Sequence, residues 1–287
     1  MILAALMNMA EEVLEAKTLA SLVEAVGMVS EQGDRSIVQW LMLRTGGYEA
    51  EVRLAAVRML AKIGDEGDLQ VIKGLCAKLK DPEPTVRQAA VMGLVKVAPP
   101  DDQEAIRNLS EVIGDGNFSV RRAVLDALKA LASLGDEEVI VAALVRLKPE
   151  EEAGIRSAAV DVLTSVCLKG DNFVTEKLLR FLRDEGDGLL QQKLVDALGK
   201  LSYDGNEKVL QAMLDFIGQA DGQDGDANAD HISKSMKADE AKLEALRIVR
   251  RMAKPGDTAA RAAVLRLCHD PSPSVREAAT AAAAQLA

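Results

Sequence analysis

Aromatic side chains are scarce in this 287-residue sequence, at 2% of residues, with one Trp, two Tyr and four Phe. Compact cores and ligand pockets draw much of their buried area from aromatic rings. The scarcity therefore argues for helices held close by small aliphatic side chains. Histidine occurs twice, as His231 and His269. Cysteine occurs three times, as Cys76, Cys167 and Cys268, without C-x-x-C spacing. An odd, scattered set is no disulfide framework and fits a reducing, intracellular and cytoplasmic setting. No apolar run approaches the roughly eighteen residues that a bilayer requires. The apolar opening, Met1 to Met7, lacks a basic flank and meets Glu11-Glu12 at once, unlike a signal peptide. Cationic charge is also in deficit, with a formal net charge of −10. Binding to a phosphate backbone depends on Lys and Arg displacing counterions, so nucleic acid is disfavoured as a partner. Phosphate-cradling G-x-x-x-x-G-K and G-x-G-x-x-G motifs and the G-x-S-x-G nucleophile elbow are absent.

What is abundant is Ala, Leu and Val, within 48% hydrophobic residues, and they recur on a beat. Val52-Arg53 with Leu60 returns as Val86-Arg87 with Leu94, Val120-Arg121 with Leu128, and Ile155-Arg156 with Leu163. A weaker copy runs from Leu190 to Leu198, and after a longer gap come Ala241 to Val249 and Val275-Arg276 with Ala283. A second marker keeps the same beat, with the same longer gap before its last member: Gly33-Asp34, Gly67-Asp68, Gly135-Asp136, Gly170-Asp171, Gly205-Asn206 and Gly256-Asp257, with Pro100-Asp101 in the remaining slot. Gly closes a helix in the left-handed conformation and Asp or Asn caps the next. Between these boundaries apolar residues keep helical spacing, as in Ile72, Leu75, Leu79 and Ile106, Leu109, Ile113. Each unit is helix, turn, helix. One pair cannot bury its apolar face alone, so successive pairs stack. The expected architecture is all-α, a right-handed α-solenoid of about seven to eight helix pairs forming a single array over residues 1–287.

The second helices resemble HEAT repeats, in particular the short HEAT-like repeats associated with phycobilisome lyases. The resemblance rests on Asp81-Pro82-Glu83-Pro84-Thr85-Val86-Arg87, Asp115-Gly116-Asn117-Phe118-Ser119-Val120-Arg121 and Asp270-Pro271-Ser272-Pro273-Ser274-Val275-Arg276. Tetratricopeptide repeats share the period, but their aromatic and Gly positions are missing. In the HEAT family, the acidic residue before the second helix and the Arg inside it form a ladder between repeats. The matching positions are Asp81 with Arg87, Asp115 with Arg121, Glu150 with Arg156 and Asp270 with Arg276. Deoxyhypusine hydroxylase, an enzyme of this class, binds metal through repeated His-Glu pairs, and the sequence has none. Cys268-His269 is two ligands short of a zinc set and fits a Cys closing an apolar helix. No cofactor, metal or catalytic residue is expected.

Two departures from the repeat are informative. An acidic, flexible insert is expected at about 218–238; its Asp224-x-Asp226-x-Asn228 resembles the start of a calcium loop, but Ala229 and Ser235 stand where Gly and Glu are needed. Contact with a basic partner, or phosphorylation of Ser233 or Ser235, are sharper roles for it. The end of the sequence, Ala278 to Ala287, is small and apolar where a terminal repeat normally carries a polar cap, so another chain segment or subunit is expected to cover it. In HEAT stacks the second helices line the concave side. Variable positions there give Arg58, Met92, Asp126, Asp161, Asp196 and Arg247, with Lys96, Arg122, Gln192 and Lys200 beside them. This surface carries both signs and suits a protein or peptide partner of mixed charge, basic in the middle opposite the aspartates. The expected function is a protein-binding scaffold or adaptor presenting an extended groove. The resemblance implies, as an alternative, a bilin lyase-like protein or subunit.

Overall fold

In the computed structural model the left-handed turns fall on the sequence beat. Gly33, Gly67, Gly135, Gly170, Gly205 and Gly256 have φ between 75° and 89°. Each lies four residues past the end of a helix. They therefore shape the turn between repeats and do not close the helix itself, which corrects the expected role. The next residue caps the following helix: the carboxylates of Asp34, Asp68, Asp136, Asp171 and Asp257 accept backbone N–H groups of the first turn. In the Pro100-Asp101 slot the register is one residue later than expected. Asp101 takes the glycine position, at φ 66°, and Asp102 is the cap, accepting from Ala105 N–H at 2.8 Å. A left-handed L-residue costs about 1–2 kcal/mol, and Gly returns about half of that through a freer unfolded chain. Asp101→Gly is thus expected to stabilise the protein by about 0.5–1 kcal/mol, read as a higher urea midpoint.

The structure describes residues 2–13, 15–219 and 229–287, the side chains of 219 and 229–238 apart. All regular structure among them is helical. One compact unit, Met1–Arg146, contains α1 (Ile2–Glu12), α2 (Ala16–Val29), α3 (Arg35–Arg44), α4 (Ala50–Ile63), α5 (Leu69–Lys78), α6 (Pro84–Val97), α7 (Gln103–Glu111), α8 (Phe118–Leu131) and α9 (Glu137–Val145). A second, Leu147–Ala287, contains α10 (Ala153–Val166), α11 (Asn172–Asp184), α12 (Gly188–Leu201), α13 (Glu207–Gln219), α14 (Ala229–Met252), α15 (Thr258–Arg266) and α16 (Pro273–Gln285), with a 3₁₀ turn at Leu267–His269. The calcium-like Asp224, Asp226 and Asn228, and the side chains of His231, Ser233 and Ser235, lie outside the described residues.

Within each unit the even-numbered helices form one layer and the odd-numbered helices the other. In the first unit α2, α4, α6 and α8 pack in succession, as α10, α12, α14 and α16 do in the second. The even layer is the more extensively packed, because small residues let its backbones approach. A Cβ added at Gly93 of α6 would stand 3.0 Å from the Cβ of Ala61 on α4 and 3.1 Å from Leu75. Between the layers Leu41, Leu60, Ile72, Leu75, Leu94, Ile106, Leu109, Leu125 and Leu128 are fully buried. They are the apolar positions of the 3.6-residue pattern.

Two kinds of link join successive repeats. At the start of the even helices runs a charge ladder. Arg53 donates Nε and Nη2 to the two carboxylate oxygens of Asp81, both at 2.8 Å, while its Nη1 donates to the Gly47 and Tyr48 carbonyls. Arg87 repeats this on Asp115, with Nη1 on the Asp81 and Pro82 carbonyls. The carboxylate partner thus belongs to the next repeat, and only backbone carbonyls come from the same one. This corrects the pairing of Asp81 with Arg87, Asp115 with Arg121 and Asp270 with Arg276, where Arg121 and Arg276 meet the Asp115 and Asp270 carbonyls. Side chains on a helix point back toward its N-terminus, so the guanidinium reaches its own entry loop and the loop beside it. Glu150 is exposed; Arg156 pairs with Glu185. Gln191 stands at the Arg position of its repeat and donates to the Glu185 carbonyl, and Lys242 takes the same place opposite Asp270 at 2.7 Å. At the other end of the even helices, the turn amides of Gly33, Gly67 and Asp101 donate to the last carbonyls of the next even helix, Ile63, Val97 and Leu131. Gly170 and Gly256 do the same to Leu201 and Leu286.

Candidate functional site

The even helices of the first unit expose an apolar groove between α6 and α8. Gln88, Met92 and Lys96 form an i, i+4, i+8 row on α6, and Phe118, Arg122 and Asp126 form the same row on α8. Two such ridges side by side leave a furrow that an opposing helix can fill. Its volume is about 530 Å³ and its walls are mainly apolar. Met92, Val95 and Phe118 are 57%, 40% and 44% exposed, while Val91 and Ala127 close the floor. Neighbouring large apolar side chains left in water mark an interaction surface far better than scattered ones do. Polar groups stand at the rim. Arg122 and Asp126 pair with each other at 3.1 Å, and the Lys96 side chain has no carboxylate partner among the described residues.

Of the residues singled out in the sequence, the structure brings Met92, Lys96, Arg122 and Asp126 together here. Arg58 is exposed on α4, 4.0 Å from Glu24. Asp161, Gln192, Asp196, Lys200 and Arg247 lie on even helices of the second unit. The aspartates are not a bare acidic column. Asp126 is paired with Arg122 and Asp161 with Lys193 of α12. Burial pushes the Asp196 carboxyl above its usual range, with the nearby Glu244 adding to it. Sequence reasoning missed Gln88, Val95 and Phe118. Phe118 stands four residues before Arg122, so the i+4 row was a signal that would have found it.

Other features offer less. A polar recess of about 270 Å³ between α14 and α16 is lined by Arg247, Arg250, Arg251 and Gln285. Its arginines are engaged: Arg247 with Glu244, Arg250 with Gln285, and Arg251 with Asp204 and the Gly199 carbonyl. All three cysteines are unbridged. Burial pushes the Cys76 and Cys167 thiols up to about 12, far from a reactive thiolate. Cys268 is half-buried, with the Thr280 hydroxyl, which donates to the Arg276 carbonyl at 2.8 Å, standing 3.8 Å from its sulfur. Among the described residues no group of three or more His, Cys, Asp or Glu could hold a metal ion, and no helix is long and apolar enough to cross a membrane.

The two-layer stack of capped helix pairs, linked repeat to repeat by Arg and Asp, defines an α-helical repeat protein. Comparison with family models specifies the class: the model described as HEAT repeats matches residues 72–164, and HEAT repeat matches 261–287. Residues 72–164 and 261–287 are therefore HEAT repeats. No curated protein matches it. Among solved structures, human deoxyhypusine hydroxylase in complex with glycerol is similar over 99% of this chain and 95% of that one, at 16% identity and a TM-score of 0.37. That likeness carries nothing about activity.

Proposed function

We propose that this protein is a scaffold or adaptor that binds a protein or peptide partner on its even-helix face, with the α6/α8 groove as anchor. The observation that carries this reading is the exposed apolar cluster of Met92, Val95 and Phe118 in a groove with a charged rim. Interfaces concentrate their energy in such apolar anchors and use the polar surround to exclude water and fix register. The HEAT family supports a repeat scaffold. The unbroken 34- or 35-residue beat through Val120, Ile155 and Leu190 supports reading the two units as consecutive segments of one array. Three unbridged cysteines support an intracellular setting. Nothing described favours the bilin lyase alternative.

The test is lysine crosslinking of the protein purified with its partner from its source. Crosslinks are expected at Lys62 and Lys96, on the even layer. Crosslinks confined to Lys73 and Lys80, on the opposite side, would sink the proposal. In the same preparation Met92→Glu combined with Phe118→Glu is expected to weaken the complex about tenfold or more, as loss of an anchor does. Both side chains are exposed, so the melting curve of the variant should match that of the parent.

A further inference from the structure

We infer that the segment seated in the α6/α8 groove is an acidic amphipathic helix, with its apolar stripe on Met92, Val95 and Phe118 and its carboxylates on the surrounding cations. The inference rests on the scaffold reading above. The first unit is net acidic over its sequence, yet its even helices are not. Apart from the ladder arginines, α4, α6 and α8 carry five cations, Arg58, Lys62, Lys96, Arg122 and Lys129, and two acids, Glu51 and Asp126.

Asp126 is already neutralised by Arg122. Lys62 donates to the Gly27 carbonyl and sits against the Met28 sulfur, with no carboxylate at hand. Lys96 and Lys129 have no carboxylate partner among the described residues, and all three lysines are exposed. Each stands in the last turn of its helix, where the dipole favours a cation. The dipole accounts for their position but not for the lack of balancing acids on a net acidic unit, nor for the apolar groove beside them. A partner that brings carboxylates to these lysines and apolar side chains to the groove satisfies both. A helix does this with apolar residues at i, i+3, i+4 and i+7 and acids on their flanks. A basic segment would instead face unpaired lysines. Duplex nucleic acid wants a continuous basic stripe, which the apolar wall interrupts. The expectation of a partner basic in its middle, drawn from the aspartates, gives way here because Asp126 is spoken for.

The experiment is selection from a displayed library of random peptides of about 16 residues, long enough for a stable helix, against the full chain and two variants. One variant is Met92→Glu/Phe118→Glu; the other is Lys62→Glu/Lys96→Glu/Lys129→Glu, all exposed positions whose folding is checked by circular dichroism. Enriched peptides are expected to be net acidic, with apolar residues at helical spacing. Their affinity should fall about 30-fold or more on the charge reversal and decline with salt, as for charges that steer and hold a complex. Basic or neutral peptides that still require Met92 and Phe118 would overturn the acidic helix and leave the scaffold reading standing. Peptides indifferent to Met92 and Phe118 would overturn the groove itself. Tighter binding of phosphatidylserine vesicles or of a short DNA duplex than of the best peptide would overturn the inference in favour of a general anion surface.

Discussion

Asp81→Ala is expected to cost about 3–5 kcal/mol, the range for removing one partner of a buried ion pair. Asp81 and Arg53 are only 5% and 8% exposed. The substitution leaves a buried guanidinium with Nε and Nη2 unanswered. By contrast, the exposed pair Lys80–Glu111 should contribute well under about 1 kcal/mol. Urea unfolding of Asp81→Ala beside Lys80→Ala separates the two cases. Arg53→Met/Asp81→Leu removes both charges and should recover much of the loss, because neither ion then has to be desolvated. Recovery is incomplete, since Arg53 also bridges the Gly47 and Tyr48 carbonyls. The same rungs set the acid limit. Burial pushes the Asp81 carboxyl up, but its hydrogen bonds from Arg53 and from the Glu83 amide outweigh that and hold it below the usual carboxylate range. Asp115 is likewise raised by burial and lowered further by Arg87 and the Asn117 amide. The unfolded chain therefore takes up these protons first as pH falls. The stabilisation is fully present above about pH 4 and lost as pH drops through the lowered folded values. A plot of unfolding free energy against pH should bend down near pH 4, and less steeply in Asp81→Ala.

Gly93→Leu should destabilise by about 3 kcal/mol, at the upper end of the range for forcing volume into a packed core. Two effects compete at this site. Replacing a helix-interior Gly gains about 1 kcal/mol of helix propensity. Any Cβ, however, arrives 3.0 Å from Ala61, and the rest of a leucine meets Leu75 and the α4 backbone layer. Gly93→Ala isolates the first atom of that crowding and should lie close to neutral, the propensity gain offsetting a displacement of a few tenths of an ångström. Thermal melts of the two variants give the sign of each effect. A Gly93→Leu protein as stable as the parent would mean that α4 and α6 separate freely, against the close approach of the even layer.

The repeat was legible because it is periodic. Val-Arg and Gly-Asp recur at one step, and a recurring residue solves the same local problem each time, so helix boundaries, caps and core followed from spacing. The slot at Pro100 shows the limit. Without a glycine the residue type does not mark the left-handed position, although Gly33 and Gly67 stand 19 residues before Val52 and Val86 and the same step back from Val120 reaches Asp101; hydrogen bonding across repeats selects Asp101. The ladder pairing was hidden for a similar reason, since Asp81 and Arg87 are neighbours in sequence while the true partner of Arg87 is 28 residues on. The groove was half visible. Counting from each Val found Met92, Lys96 and Asp126, but Phe118 precedes the counted segment and Val95 lies one position off the register. That Asp126 is engaged by Arg122 was open to the same reading, since residues four apart on a helix are neighbours and opposite charges there pair.

The links between repeats also bear on how such a chain changes length. Most repeats offer the same two ends, a carboxylate and a terminal carbonyl on one side, a guanidinium and a turn amide on the other, with Gln191 and Lys242 standing in for the arginine in two of them. Copying or deleting a whole repeat preserves all of these matches, so lengthening by duplication needs no new chemistry. An insertion inside a repeat is tolerated only where neither link is anchored. The extra residues between α13 and α14 fall in such a place, after the Asn206 cap and before Lys242. Growth in whole repeats, with irregularity confined to the joint between an odd helix and its even partner, is the pattern of variation these two links permit.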